Sequence, residues 1–248
     1  MPIIYSSSSG TKDDGFIYKL NASSWANARD ATSGSSVVTN YTSSANFTYV
    51  SKGPARGGGS AFTVQRSFIA FDTSSITGTV SSATLSVRGV NMNTGSVIAV
   101  KSNAYGGDGG TSLASSDFDA IAGWSAGSSL AGSATVYGSQ ILTSSWSTTG
   151  YNNFTATSDL LTDMKNQNVV IICFMDYTND YLNSALTSNT TLRCGGYYAE
   201  YSGTTRDPKI DYTLAVTGYT NEVTSVASAN ISEVNSVATA SISEVNSI

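Results

Sequence analysis

The sequence predicts an all-β fold, a jelly-roll β-sandwich with one short helix, followed by a separate repeat tail. Nearly every apolar run is short and bounded by Gly, Ser, Asn or Asp, and apolar and polar residues alternate within several of the runs. Only 12% of the residues are charged, and the chain has three prolines. Such a composition suits two packed sheets with polar outer faces. We expect the sandwich at residues 1–217 and the tail at residues 218–248.

The individual strands follow from hydrophobic periodicity. Alternation is clearest in ATLSVR at 83–88 and in KIDYTL at 209–214, which indicates strands with one buried face. The continuous apolar run VVIICF at 169–174 indicates a central strand. The predicted strands are 3–5, 16–20, 47–50, 62–71, 83–90, 96–101, 134–142, 169–176, 191–201 and 209–216.

The one predicted helix covers TSDLLTDMK at 157–165. Ser and Asp near its start are candidate caps, apolar residues recur at 160, 161 and 164, and no breaker interrupts the segment. A second helical turn is expected at 117–122. The glycine-rich stretches at 53–60 and 106–110 predict loops, the first of which separates two strands.

The chain from residue 222 to residue 248 repeats with a period of 11, reading EVTSVASANIS, EVNSVATASIS and EVNSI. A short repeat of this kind is a device for building elongated or multimeric objects, and it moves the expectation from catalysis toward architecture. The recurring apolar positions form the predicted interface between copies. They are Val223, Val226, Ile231, Val234, Val237, Ile242, Val245 and Ile248.

Three structures compete for this repeat. Eleven residues make three helical turns at about 3.67 residues per turn, the spacing of a right-handed coiled coil, and this helical form is favoured. A strand would swing its apolar set to the other face in each repeat because 11 is odd, so it needs turns, at 235–236 and 246–247. Ser, Thr, Asn and Val are mediocre helix formers, so a helix here must pack on other copies, and a disordered tail is the third alternative.

Three segments occur in a suggestive order: RSFIAFDTSSITG with SSATLSVRG, then YNNFTATSDLLTDMKNQNVVIICFMDYTND, then YYAEYSGTTRDPKIDYTLAV. Together they resemble the core of DNRLRE-type jelly-roll domains, which are carbohydrate-binding-module-like β-sandwiches of cell-surface and phage proteins. The resemblance covers residues 10–217, and because the chain lacks the DNRLRE signature itself, it implies the architecture rather than close kinship. The repeat tail is similar to tails of structural proteins of environmental tailed phages.

The residues of the first of these motifs suggest structural roles. Phe68, Ala70 and Phe71 would lie in or beside the core. Asp72 would form a turn with the hydroxyl residues that follow it and so end the strand. Arg66 would pair with a carboxylate across the sheet.

The catalytic repertoire of the chain is narrow. It contains no histidine, which removes Ser-His-Asp and Cys-His catalysis and histidine-based zinc sites. A glycosidase needs only two carboxylates. Three of the four glutamates lie in the repeat, however, so Glu200 would have to act with Asp176 or Asp180. The sequence therefore predicts a protein that is not an enzyme.

Two binding hypotheses remain open. No cofactor is expected apart from structural calcium, for which the oxygen-rich turns supply weak candidates, namely Asp13, Asp14, Asp108, Asp176 and Asp180. Tyrosine offers contact area with a polar tip, which suits sugar binding. The candidate glycan contacts are Tyr177, Tyr181, Tyr197 and Tyr198.

The charge of the chain and its targeting signals limit where the protein is expected to be and what it is expected to bind. A net charge of −5 without a basic stripe argues against nucleic-acid binding, and no apolar stretch suggests a membrane span. The start of the chain does not read as a signal peptide, so Cys173 and Cys194 are expected to be free buried thiols in a protein folded in the cytosol.

These observations favour a structural protein of a virus particle made in the host cytoplasm. A head decoration, fibre or tail-associated component of a tailed phage would combine a surface-like composition with the missing export signal. Its partners would be copies of itself, most simply as a trimer, and other virion proteins. The alternatives are a carbohydrate-binding adhesin at the cell surface and a subunit of an extracellular filament.

Overall fold

The computed structural model describes residues 1–7, 12–39 and 41–215, together with the backbone of Glu233–Val234 and Val237–Ala238. The chain divides into two compact units, Met1–Thr213 and Leu214–Ile248. The predicted boundary at residues 217 and 218 lies outside the described residues and stays a prediction.

The described residues up to position 215 form twelve strands and two short α-helices. The strands are β1 (Ile3–Tyr5), β2 (Gly15–Ala22), β3 (Ser36–Thr39), β4 (Ser44–Pro54), β5 (Ser60–Asp72), β6 (Val80–Asn93), β7 (Val97–Lys101), β8 (Val136–Ile141), β9 (Tyr151–Thr155), β10 (Val169–Met175), β11 (Thr190–Tyr197) and β12 (Lys209–Leu214). The helices are α1 (Trp25–Arg29) and α2 (Ser158–Asn166). Single helical turns cover Tyr105–Gly107, Ser115–Asp119, Thr143–Ser145 and Tyr177–Tyr181.

The strands form one curled antiparallel sheet with two facing parts. The smaller part has the order β1-β12-β6-β9, and the larger part has the order β11-β4-β5-β10-β7-β8. Strand β2 also pairs with β5, and β3 pairs with the other edge of β2. Strand β6 joins the parts, because residues 84–88 pair with β9 while Gly89 and Asn93 lie opposite β11. The all-β, sandwich-like architecture is confirmed, and the jelly-roll order of connections stays a prediction.

Strand β5 is the hub of the larger part. Gln65 lies opposite Tyr18 of β2 and Tyr49 of β4, and Phe68 lies opposite Gly15 of β2 and Cys173 of β10. Because a residue has one neighbour on each edge of its strand, β2 lies on one edge of β5 while β4 and then β10 occupy the other.

Two hydrophobic cores lie on opposite faces of this hub. Ile69 and Phe71 of β5 face the core between the two parts of the sheet, where they join Leu85 and Val87 of β6. Phe68 and Ala70 face a second core, covered by α1 and by the loops between β7 and β8. All seven residues of β10 are buried and alternate between the two cores, so the prediction of a central strand is confirmed.

Helix α2 confirms the predicted helix, with a different cap. The side chain of Thr157 accepts a hydrogen bond from the backbone N–H of Leu160, so Thr157 rather than Ser158 or Asp159 is the N-cap. The buried residues Leu160 and Met164 pack into the core between the sheet parts. Helix α1 and strands β3 and β9 were not among the elements predicted from hydrophobic periodicity. The predicted strand 191–201 is too long, because pairing ends at Tyr197.

The described backbone of the second unit is a short antiparallel pair. Strand β13 (Glu233–Val234) pairs with β14 (Val237–Ala238), with Val234 opposite Val237. At these four residues the backbone is paired as strands, whereas the form of the tail as a whole, helical or otherwise, stays a prediction. Their low helix propensity is consistent with this result. The rest of the predicted interface lies outside the described residues.

Both cysteines are free and buried, which confirms the expectation of unpaired thiols. Burial raises the pKa of the Cys194 thiol to about 12 and also raises that of Cys173, so both stay protonated near neutral pH. Among the described residues, neither helix combines the length and the apolar run that crossing a bilayer requires.

Candidate functional site

The arginine of the first motif lies at the centre of the second core. Arg66 donates from Nε to Asp180 Oδ2 and from a terminal nitrogen to Asp180 Oδ1, both at 2.7 Å, and it also donates to the carbonyl of Phe118. Its guanidinium lies 4.3 Å from the ring centre of Trp124. The predicted carboxylate partner of Arg66 is therefore Asp180, on the helical turn after β10. Every one of these contacts holds the fold together.

A second buried arginine, Arg29, also contacts Asp180. Arg29, at the end of α1, donates to the backbone carbonyls of Asp180 and Ser128 and to the carboxylate of Asp30. Both arginine side chains are fully buried, and both have protein acceptors. The Asp180 carboxylate is consequently committed to an ion pair, and calcium binding at Asp180 is not supported.

Asp176 and Asp108 are also engaged in local structure. The Asp176 carboxylate accepts hydrogen bonds from the backbone N–H groups of Asn179 and Ser96, at 2.7 and 3.0 Å, and caps the helical turn that contains Asp180. Burial raises the pKa of Asp176, and these hydrogen bonds oppose that effect. The exposed Asp108 accepts from the N–H of Gly110 in a turn of its loop.

The four predicted glycan contacts occupy different environments. Tyr198 is fully buried, and its hydroxyl hydrogen-bonds with Ser67 Oγ and with the carbonyl of Asn46. The ring of Tyr198 is therefore closed off from solvent in this structure, and its predicted glycan role has no exposed surface to support it. Tyr181 is also buried and stacks on Tyr177 at 5.7 Å between ring centres. That leaves Tyr177 and Tyr197 partly exposed.

Tyr197 packs in a small cluster with the side chains of Tyr201 and Arg206. Its ring lies 4.9 Å from that of Tyr201, and the guanidinium of Arg206 lies 4.9 Å from the first ring centre and 4.4 Å from the second. Arg206 also donates to the hydroxyl of Tyr197. The arginine thus covers part of the surface that a sugar would need.

A hollow of about 370 Å³ lies on the outer face of the smaller sheet part. The ring of Tyr151 lines it, with Lys209 at 5.1 Å and Arg88 at 5.9 Å from the ring centre. The hollow also presents an amide, hydroxyls and an ion pair, from Asn153, Ser86, Thr84, Lys209 and Asp211. An aromatic ring among polar groups of several kinds can contact a polar small molecule through stacking and hydrogen bonds.

Carboxyl groups from both ends of the first unit meet beside Asp14. Asp14 is fully buried just before β2, and its Oδ2 accepts from the N–H of Ala199 at 3.0 Å and from Ser6 Oγ at 3.2 Å. Glu200, the next residue after Ala199, brings its carboxyl group within hydrogen-bonding reach of Asp14. Burial, and then contact with Glu200, raise the pKa of Asp14 well above its ordinary value.

Glu200 thus has an aspartate partner different from the two that the sequence suggested. Asp176 and Asp180 are held by the contacts described above, and Asp14 takes their place. In the described part of the chain, no group of three or more His, Cys, Asp or Glu side chains is arranged so that it could hold a metal ion. The structure therefore shows a carboxyl pair at this position.

Comparison with protein-family models and with curated proteins finds no match for this chain. The resemblance to DNRLRE-type domains consequently stays a prediction that rests on the sequence motifs alone.

Sequence reasoning missed two features of these sites. Tyr151 was named only as the first residue of the second motif segment, and no binding role was predicted for it. The pairing of Asp14 with Glu200 joins residues from the two ends of the unit, and no local pattern in the sequence indicates such a contact.

Proposed function

We propose that the protein is a non-enzymatic structural component of a virus particle, with the sandwich as its displayed body and the repeat as its assembly segment. A head decoration, fibre or tail-associated role in a tailed phage fits this division. The observation that carries the proposal is the 11-residue repeat at 222–248, in which two apolar positions occur three times and a third occurs twice. Such a segment gains its stability by burying those positions against other copies.

The antiparallel pairing of β13 with β14 supports assembly through backbone hydrogen bonds. A single two-stranded hairpin is marginally stable in water, and further strands or a packed partner are needed to hold it. Copies of the chain could supply those strands, with a trimer as the favoured assembly. A β-structured repeat would associate as readily as the helical one that the period first suggested.

The assembly role is tested by the mass of the protein in solution. The full chain should run as an oligomer by light scattering, and deletion of residues 219–248 should leave a monomer. A matched pair of double variants separates burial of the apolar positions from a general effect of added charge: Val226→Asp with Val237→Asp, and Ser225→Asp with Ser236→Asp. Only the first pair should dissociate the oligomer. A monomeric full chain, or dissociation by both pairs, would argue against the proposal.

The virus context is tested separately. Mass spectrometry of purified particles from the source should detect this chain, and genes for capsid, portal or tail proteins should lie beside its gene. Neighbouring genes for secretion or for surface filaments would instead favour the extracellular filament.

The hollow around Tyr151 supports a second candidate, a carbohydrate-binding adhesin. A glycan array probed with the intact oligomer should give hits that Asn153→Ala weakens. Asn103→Ala removes the same side chain from a different hollow and serves as the control. An array without hits would remove this candidate and leave the assembly role untouched.

A further inference from the structure

Four segments of the first unit meet around Asp14 and Glu200. Ser6 follows β1, Asp14 precedes β2, Glu200 comes shortly after β11, and Asp207 shortly precedes β12. The N–H of Ser6 donates to the carbonyl of Pro208 at 2.9 Å, so the segments are also joined through their backbones. Whatever occupies this place therefore links the start of the unit to its end.

The carboxylates at this place have oxygens that no protein group satisfies. Nine buried side-chain atoms in the described residues lack a hydrogen-bond partner, and five of them lie here. They are Asp13 Oδ1, Asp14 Oδ1, Glu200 Oε1, Glu200 Oε2 and Asp207 Oδ1. Asp14 is fully buried, and its Oδ2 has two donors while its Oδ1 has none. Buried carboxylates without donors or cations are strongly disfavoured.

The described part of the chain supplies no cation to these oxygens. Its ion pairs use Asp30, Asp72, Asp163, Asp180 and Asp211, and none of them includes a carboxylate of this group. Asp13 and Asp207 instead add negative charge near Glu200. The group is therefore short of positive charge.

We propose that Asp14 and Glu200 bind a calcium ion that clasps the beginning of the first unit to its end. The two carboxylates supply the protein charge, and water and neutral oxygens complete the six to eight positions that Ca²⁺ generally takes. Two carboxylates with solvent ligands are compatible with the lack of a preformed three-residue cluster. This inference does not depend on the proposed assembly role.

A proton shared between Asp14 and Glu200 is the competing arrangement. When both groups are ionised, neither can donate a hydrogen bond to the other. A single proton would create one hydrogen bond, but it would leave the other oxygens without partners and the charges of Asp13 and Asp207 uncompensated. Calcium neutralises both carboxylates at once and tolerates irregular geometry, whereas Mg²⁺ requires a near-ideal octahedron. The cluster has only oxygen donors, which disfavours zinc.

The test measures binding and stability in the full chain after treatment with a chelator. Added Ca²⁺ should raise the melting temperature and should bind with a measurable heat. Tb³⁺, which replaces Ca²⁺, should show luminescence sensitised by Tyr105 and Tyr198, because both lie near Asp14. Glu200→Gln should weaken Ca²⁺ binding at least about tenfold, and Asp14→Asn should abolish the shift in melting temperature.

Asp108→Asn is the matched control, because it neutralises an exposed aspartate of another loop and should leave Ca²⁺ binding unchanged. Glu200 is partly exposed, so Glu200→Gln remains informative if Asp14→Asn fails to fold. The proposal is overturned if Ca²⁺ neither binds nor stabilises the wild type, or if Glu200→Gln binds it as tightly as the wild type. Stability of the chelated protein that falls as the pH rises, with no response to Ca²⁺, would establish the shared proton instead.

Discussion

The ion pair between Arg66 and Asp180 shows how burial determines how much a contact contributes to the free energy of unfolding. Both side chains are fully buried, and Arg29 lies beside them, so removing the carboxylate leaves positive charge in an apolar core. We predict that Asp180→Ala lowers the free energy of unfolding by about 3–5 kcal/mol. Urea unfolding followed by tyrosine and tryptophan fluorescence measures the change.

Asp211→Ala is the control for Asp180. Asp211 pairs with Lys209 at 2.9 Å, close to the 2.7 Å of the buried pair, but on the outer face of the sheet. This pair is only partly buried, so it contributes less than about 1 kcal/mol. If both alanine variants lose the same stability, burial is not the determinant.

A second prediction at this scale concerns the turn that ends β5. The hydroxyl and the backbone N–H of Ser74 both donate to Asp72, and they lower the pKa of its carboxyl below 3.8, with a smaller contribution from Lys12. Because the folded pKa is depressed, this contribution to stability is present above pH about 4 and is lost as the pH falls through the folded pKa.

Ser74→Ala should therefore raise the pKa of Asp72 toward its ordinary value, as NMR of the side-chain carboxyl carbon during an acid titration would show. Ser75→Ala is the control, since the contacts of Asp72 described above come from Ser74 rather than from Ser75. An unchanged pKa in Ser74→Ala would mean that the hydroxyl is not the main cause.

At the residue scale, the sequence predicted roles better than partners. The Asp72 turn and the burial of Phe68, Ala70 and Phe71 are confirmed, because they depend on neighbours in sequence or on strand alternation. The partner of Arg66 was predicted only as a carboxylate. Arg66 and Asp180 are 114 positions apart, and no local rule selects one aspartate over another at that distance.

At the scale of elements, helix α2 is fixed at its start by one side chain. Thr157, the residue just before the helix, accepts a hydrogen bond from the backbone N–H of Leu160. Its hydroxyl also donates to the backbone carbonyl of Val136 in β8, at 2.6 Å. We predict that Thr157→Ala destabilises the protein by about 1–2 kcal/mol, while Thr157→Ser, which keeps both contacts, loses much less. Thermal unfolding by circular dichroism distinguishes them, and equal losses would rule out the cap as the cause.

The elements that sequence reasoning missed are short and depend on tertiary contacts. Helix α1 has only five residues, too few to be stable alone. It forms because Trp25 packs on Phe62 and because Arg29 reaches the carbonyl of Asp180. Strand β10 could be predicted because its continuous apolar run records burial on both faces, a property of the strand itself.

At the scale of the whole molecule, the class of fold could be predicted from the sequence, but the contacts between segments far apart in the chain could not. Alternating apolar runs and polar turns require a sandwich, and the two cores on either side of β5 follow from that. The contact between Asp14 and Ala199, which brings Glu200 to the carboxyl pair, spans 185 positions. This contact depends on the order in which the strands are connected, and hydrophobic patterning does not determine that order.

The division of the chain into two compact units predicts that the first folds without the second. A chain ending at residue 218 retains β12, whose Ile210 and Tyr212 lie in the core between the sheet parts. We expect it to unfold cooperatively, with a melting temperature within about 4 °C of the full chain under conditions where both are monomeric. Scanning calorimetry and near-ultraviolet circular dichroism measure this.

A chain ending at residue 207 is the comparison. It lacks β12, which pairs with β1 and β6, and so it exposes the core and the edges of two strands. This shorter chain should fail to fold or should aggregate. If the chain ending at residue 218 behaves in the same way, then the repeat is part of the folding unit and not only an assembly segment attached to it.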